Sequence, residues 1–277
     1  MRILQLTLVI ALLTSCNYSE TKSPEAKPKR KYPNALKNGK FFEKDGKKYL
    51  YGGEDSTWHF DVTNSPLIDS QYHYGIGRER FHALTSPEFI SEAEADSIYP
   101  DSARFLVFTL GNETRAYGID LLTHHEVVND VVNGEPVAAA YCILADLGAM
   151  YSRRLGDTVL TFALSGFTYY DPAVWNGLDG FVWWDRETES TWWPLIGKGV
   201  SGPLNGMPLK VFQEDAWVQT TWGEVVGKYE NLKVLKPGQA MEPPANWPRF
   251  EPSVVERVRA RETDEAKSPP RWGENAN

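Results

Sequence analysis

Cysteine is nearly absent from this chain. Its 277 residues include 2 Cys, too few for a disulfide scaffold or a cysteine-rich zinc or iron–sulfur module. Positive charge is in deficit as well. There are 29 Lys and Arg against 37 Asp and Glu, a net charge of -8. That is the wrong sign for a phosphate-reading surface, so nucleic acid is not an expected partner. Beyond the first 15 residues no apolar run approaches a membrane span. Several enzyme signatures are missing: there is no P-loop, and Gly75-Ile76-Gly77 lacks the third glycine of a dinucleotide fingerprint. Ser165-Gly166 lacks the glycine two residues earlier that a nucleophile elbow needs. What is plentiful is aromatic surface. With 10 Trp, 13 Tyr and 12 Phe in a chain that is 42% hydrophobic, a sizeable core is available.

The N-terminus reads as an export signal. Arg2 is followed by the short apolar run Ile3–Leu13, which ends in Leu13-Thr14-Ser15-Cys16. This resembles the bacterial lipoprotein box, which implies cleavage before Cys16 and lipidation of its sulfur. Several acyl chains on one residue anchor a protein where a single chain does not. The expected location is the bacterial cell envelope. Asn17, where an inner-membrane retention signal would have Asp, favours the outer membrane. If Cys16 carries lipid, Cys142 is the sole free thiol and no internal disulfide can form.

Residues 16–36 read as a flexible tether with a basic cluster, Lys27-Pro28-Lys29-Arg30-Lys31, and residues 240–277 as a Pro- and charge-rich tail. Between them, 37–239 reads as one globular domain. Its clearest signals are tight turns. Asp45-Gly46, Gly111-Asn112 and Asn133-Gly134 each separate two apolar segments, and such pairs supply the positive φ of a hairpin turn. Further strands are expected at 158–164 and 180–185. The fold class is therefore α+β, mainly antiparallel β, as a sandwich or open barrel with a few short helices. Helices are expected at four places. Ser91-x-x-Glu94 and Thr123-x-x-Glu126 are capping boxes, the second opening a helix to about Asp130, and Cys142–Tyr151 and Trp217–Lys228 complete the set.

The chemistry-bearing stretch is Thr123-His124-His125-Glu126. In the first turn of a helix the macrodipole disfavours imidazolium and leaves neutral rings that bind metal or accept protons. Helical winding groups Val127, Val128 and Val131. His124 then falls mid-face as a core histidine and a weak cofactor-binding candidate, while His125 lies at the edge. Glu126 points away as a cap. Position 129 is Asn, so the segment is not a zincin motif. Cys142 ends an apolar run, either as a small buried hydrophobe or at a strand-to-helix junction whose amides lower its pKa. His59, His73 and His82 lack ligand spacing. Trp183-Trp184 and Trp192-Trp193 flank a turn, so alternation turns one of each pair outward. Trp184 and Trp193 are the candidates for stacking on a flat ligand, against two-layer core packing as the other reading.

Several blocks resemble one family. His125-Glu126-Val127-Val128-Asn129-Asp130, Gly134-Glu135-Pro136-Val137, Tyr141-Cys142, Leu160–Gly166, Trp184–Ser190, Gly197-Lys198 and Gly202–Gly206 are similar, in order, to the bacterial domain of unknown function 3179, over about residues 80–235. Many of its members carry Cys-Pro-Leu-Cys, which implies a thiol-redox or soft-metal site in them. Here the segment is Cys142-Ile143-Leu144-Ala145, and a dithiol cycle is excluded. Two functions follow. One is an envelope-anchored module binding an unknown small ligand in a cleft near His125 and Cys142. The other is a monothiol redox or soft-metal protein, with copper or zinc held by His125 and Cys142. Those two residues are also the candidate catalytic pair.

Overall fold

The computed structural model describes residues 37–38, 40–53, 55–174 and 179–239. The signal, the tether and the tail lie outside the described residues. Among the described residues antiparallel strands dominate, with two short α-helices, α1 (Glu92–Asp96) and α2 (Ile119–His125). The expected turns hold. Val132 and Glu135 face each other across Asn133-Gly134, whose φ angles are 47° and 78°, a conformation Asn and Gly tolerate at little cost. Asp45-Gly46 does the same between strands Phe41–Lys44 and Lys47–Leu50.

Three sheets stack in layers, and among the described residues none closes into a barrel. The first has six strands in the order Lys37–Asn38, Tyr72–Tyr74, Phe162–Tyr169, Gly180–Asp185, Thr191–Trp193, Lys198–Ser201. The middle one has three: Leu147–Ser152, Glu135–Cys142 and Val127–Val132. The third has five: Trp217–Thr221, Arg104–Leu110, Glu113–Gly118, Leu232–Leu235 and Phe89–Ser91. Its one parallel pair joins Leu232–Leu235 to Glu113–Gly118.

The middle sheet is apolar on both faces, as its sequence requires. Along Glu135–Cys142, Ala138, Ala140 and Cys142 pack with Trp183, Phe162 and Leu164 of the six-stranded sheet. Val137, Ala139 and Tyr141 pack with Leu106, Phe108 and Tyr117 of the five-stranded one. A run without polar alternation is what burial on two sides demands. The outer face of the five-stranded sheet is closed by Ala95 of α1 together with Trp222 and Val225.

Three helix expectations fail. Helix α2 ends where the second capping box was to begin, because Thr123 Oγ1 donates back to the Ile119 carbonyl at 2.6 Å instead of capping forward. Glu126 then turns the chain at φ 56° into strand Val127–Val132, so Val127 and Val128 part to opposite faces and Val131 is exposed. Cys142–Tyr151 is no helix: residues 143–146 turn a hairpin between strands Glu135–Cys142 and Leu147–Ser152. Trp217–Thr221 is a strand, followed by a single 3-10 turn. Ser91 and Glu94 do form the expected reciprocal box.

Candidate functional site

Helix α2 packs on the middle and five-stranded sheets, and its last turn carries two histidines followed at once by Glu126. The expected burial order is reversed. His124 is exposed, its Nδ1 paired with the Asp120 carbonyl at 2.7 Å, and it is not a core residue. His125 is buried, and its Nδ1 pairs with the His82 carbonyl at 2.8 Å. A carbonyl only accepts, so Nδ1 carries the proton and Nε2 keeps the lone pair of a neutral ring. Both rings sit in the last turn of α2, where the macrodipole favours imidazolium, the opposite of the expected sign. Burial wins for His125 and lowers its pKa, against the raising effect of the His82 carbonyl. His82 Nδ1 is itself buried without a hydrogen-bond partner among the described residues.

Glu126 is the residue that sequence reasoning set aside. Only 8% of it is exposed. Its backbone carbonyl accepts from Tyr141 N at 2.9 Å, but among the described residues its carboxyl has no hydrogen-bond partner. Burial pushes that carboxyl from 4.5 up to about 8. The exposed cap that was expected is thus a largely buried acid, in a backbone conformation that costs a non-glycine residue about 1–3 kcal/mol. The unusual group is near Cys142, whose thiol feels its charge. Cys142 is 3% exposed, and burial followed by the Glu126 charge raises its thiol to about 12. Backbone amides of Ala145, Phe181 and Leu144 pull the other way and lose. They belong to a turn and a strand, not to the helix expected there. The S–H points to the Asp179 carbonyl, 3.9 Å away.

Across the interface, Asp179 is fully buried and pairs with His73 Nδ1, while Thr168 Oγ1 donates to the same carboxylate oxygen at 2.9 Å. His73 and Asp179 are 106 positions apart in sequence, and no local signal announces the pair. His59 lies elsewhere, accepting from Gly52 N at 3.2 Å. Among the described residues no group of three or more His, Cys, Asp or Glu is arranged to hold a metal ion.

The other family-like blocks serve architecture. Asn129 bridges layers, with its side chain accepting from Phe162 N and donating to Phe162 O, both at 2.9 Å. Asp130 accepts from Tyr117 Oη at 2.8 Å. Asp185 accepts from Thr188 N and Oγ1 and from Trp192 Nε1. Arg186 makes a buried two-pronged pair with Glu79 at 2.9 and 2.7 Å. Arg78 bonds Glu189 at 2.9 Å and lies 3.5 Å over the Trp184 ring. Trp183, Trp184, Trp192 and Trp193 are all fully buried. No tryptophan of either pair faces outward: Trp183 packs against Tyr151 of the middle sheet, Trp184 is covered by Phe60 and Arg78, and Trp193 packs against Tyr169, so Trp184 and Trp193 offer no stacking platform. Ser165-Gly166 is a bulge rather than an elbow. Gly166 has φ 76°, and a Cβ there would sit 2.0 Å from the Gly77 carbonyl oxygen.

Fold and site define a layered, mainly antiparallel β protein that buries an acid, Glu126, and a thiol, Cys142, at one end of its middle sheet. The chain belongs to the DUF3179 family of proteins of unknown function, whose model matches residues 78–245. No curated protein and no solved structure matches it.

Proposed function

We propose that this protein is a lipid-anchored component of the bacterial envelope that binds a small ligand at the Glu126–Cys142 site without chemically altering it. The anchoring half rests on Leu13-Thr14-Ser15-Cys16. The binding half rests on one observation: Glu126 is largely buried, its carboxyl takes no hydrogen bond among the described residues, and its charge reaches the Cys142 thiol. A buried polar group without a partner is costly, and where a fold tolerates one a missing ligand group is a natural account. The thiol environment supports binding over chemistry, since a sulfur held at about 12 is neutral at physiological pH and is a poor nucleophile. The monothiol redox alternative is opposed by the same buried, neutral thiol, and the copper or zinc one by the lack of a three-donor group among the described residues.

Two experiments test the two halves. Labelled palmitate should enter the wild-type chain and fail to enter Cys16→Ser, which should leave the membrane fraction; a Cys16→Ser chain that stays in membranes overturns the anchor. A thermal-shift screen of the full chain against small amines, amides, carboxylates and sugars should yield compounds that protect the wild type and Cys142→Ser but not Glu126→Gln. If no compound protects, or protection is indifferent to Glu126→Gln, this site is not the binding site.

A further inference from the structure

We infer that Lys40 is a latch that fastens the membrane tether to the fold, closed by the ring faces of Tyr51 and Tyr74. The inference rests on the anchoring half of the reading above and says where the pull of that anchor is taken up. Twenty residues lie between Cys16 and Lys37, and Lys37–Asn38 is the first described strand after them. That strand is two residues long and forms one edge of the six-stranded sheet, paired with Tyr74 and His73. An edge held by two residue pairs frays readily, because little surface is buried with it. Lys40 stands directly behind this edge. There the chain passes to strand Phe41–Lys44 of another sheet, formed with Lys47–Leu50 and Phe60–Asp61.

Three contacts hold Lys40 in place. Its carbonyl accepts from Tyr51 N at 2.9 Å. Its ammonium lies 4.1 Å from the Tyr74 ring centre and 4.9 Å from that of Tyr51. The two rings are 6.1 Å apart and inclined at 55°, so one cation rests on both. Among the described residues the ammonium has no carboxylate partner, which leaves the ring faces to hold it. A cation within about 6 Å of a ring centre is drawn to the negative face of the π system. From there the pull passes inward. Tyr74 meets the buried Phe167 edge-on at 5.4 Å and is its partner across the sheet. Tension on Lys40 is thus delivered to the core before it reaches strand Phe41–Lys44. With the latch closed, Lys37–Asn38 stays on the strand that carries His73 to Asp179; with it open, that edge is bared.

The test is hydrogen exchange, read by mass spectrometry, on the full acylated chain in phosphatidylcholine vesicles. Lys40→Met keeps the length of the side chain and removes its charge. It should speed exchange in the segments holding Lys37–Asn38 and Tyr72–Tyr74 about fivefold, and leave Leu232–Leu235 in the five-stranded sheet unchanged. Lys40→Arg, still a cation, should keep wild-type exchange, as should Tyr74→Phe, which retains the ring face. Tyr74→Leu should match Lys40→Met. Exchange that ignores Lys40→Met overturns the latch and leaves the anchor standing. Lys40→Arg or Tyr74→Phe exchanging as fast as Lys40→Met also overturns it, because the contact is then not one of cation with ring face. A chain whose Cys16 carries no acyl group overturns the anchor, and the latch loses the tether it is said to hold.

Discussion

Replacing Glu126 by Gln should stabilise the ligand-free protein, increasingly so as the pH rises. The carboxyl ionises near 4.5 when the chain is unfolded and near 8 when it is folded. A group whose pKa is raised by folding favours the folded state fully below its unfolded value. That advantage is lost as pH climbs through the folded one. Between the two values the unfolded chain releases the proton and the folded one keeps it. Linkage then makes the wild type less stable than Glu126→Gln by about 1 kcal/mol at pH 5 and about 3 kcal/mol at pH 7, measured against their difference at pH 4. Beyond about pH 8.5 the difference levels near 4–5 kcal/mol. Glutamine has the same shape, and every other titrating group is common to both proteins, so the difference curve isolates this one side chain. Urea unfolding of both chains at half-unit pH steps from 4 to 9 measures it. Parallel stability curves would refute the reasoning, because they would mean that the carboxyl is solvated or paired in the folded protein.

Further predictions concern the sulfur and the framework. Native Cys142 should react with a disulfide reagent at pH 7.5 at least a hundredfold more slowly than in denaturant, since its thiol is buried and raised to about 12; rapid labelling of the folded chain contradicts this. Arg186→Ala leaves Glu79 buried without its partner and should cost about 3–5 kcal/mol in chemical denaturation. Arg104→Ala removes an exposed pair with Asp146 and should cost no more than about 1 kcal/mol. Gly166→Ala combines a positive φ with a Cβ 2.0 Å from a backbone oxygen. It should abolish soluble expression or lower the midpoint by more than about 10 °C, and a wild-type melting curve would contradict the bulge geometry.

Much of the β architecture was legible because turn chemistry is local. Asn133-Gly134 can be read as a hairpin turn without knowing what the strands pack on, and the same holds for the reciprocal box of Ser91 and Glu94. Thr123-x-x-Glu126 satisfies the same pattern yet closes a helix, since a threonine hydroxyl bonds equally well to a carbonyl four residues behind. That single inversion misplaced the rest of the site. It exchanged the burial of His124 and His125 and cast Glu126 as a solvated cap. The four tryptophans misled for a different reason: alternation tells which side of a sheet a residue takes, not whether another layer covers that side. Asp179 and His73 meet only because strands Tyr72–Tyr74, Phe162–Tyr169 and Gly180–Asp185, distant in sequence, lie side by side in one sheet, which no short window of sequence encodes.

The family match begins at Arg78, but the folded unit does not. Strand Tyr72–Tyr74 is hydrogen-bonded to Phe162–Tyr169 and carries the histidine that holds Asp179, and Phe60 packs beside Trp184. A fragment cut at residue 78 would have a raw sheet edge and a bared indole, with an aspartate stripped of its mate. Such a fragment is suited to clumping rather than to assay. Anyone expressing relatives by their matched segment alone would be studying the damage and not the protein.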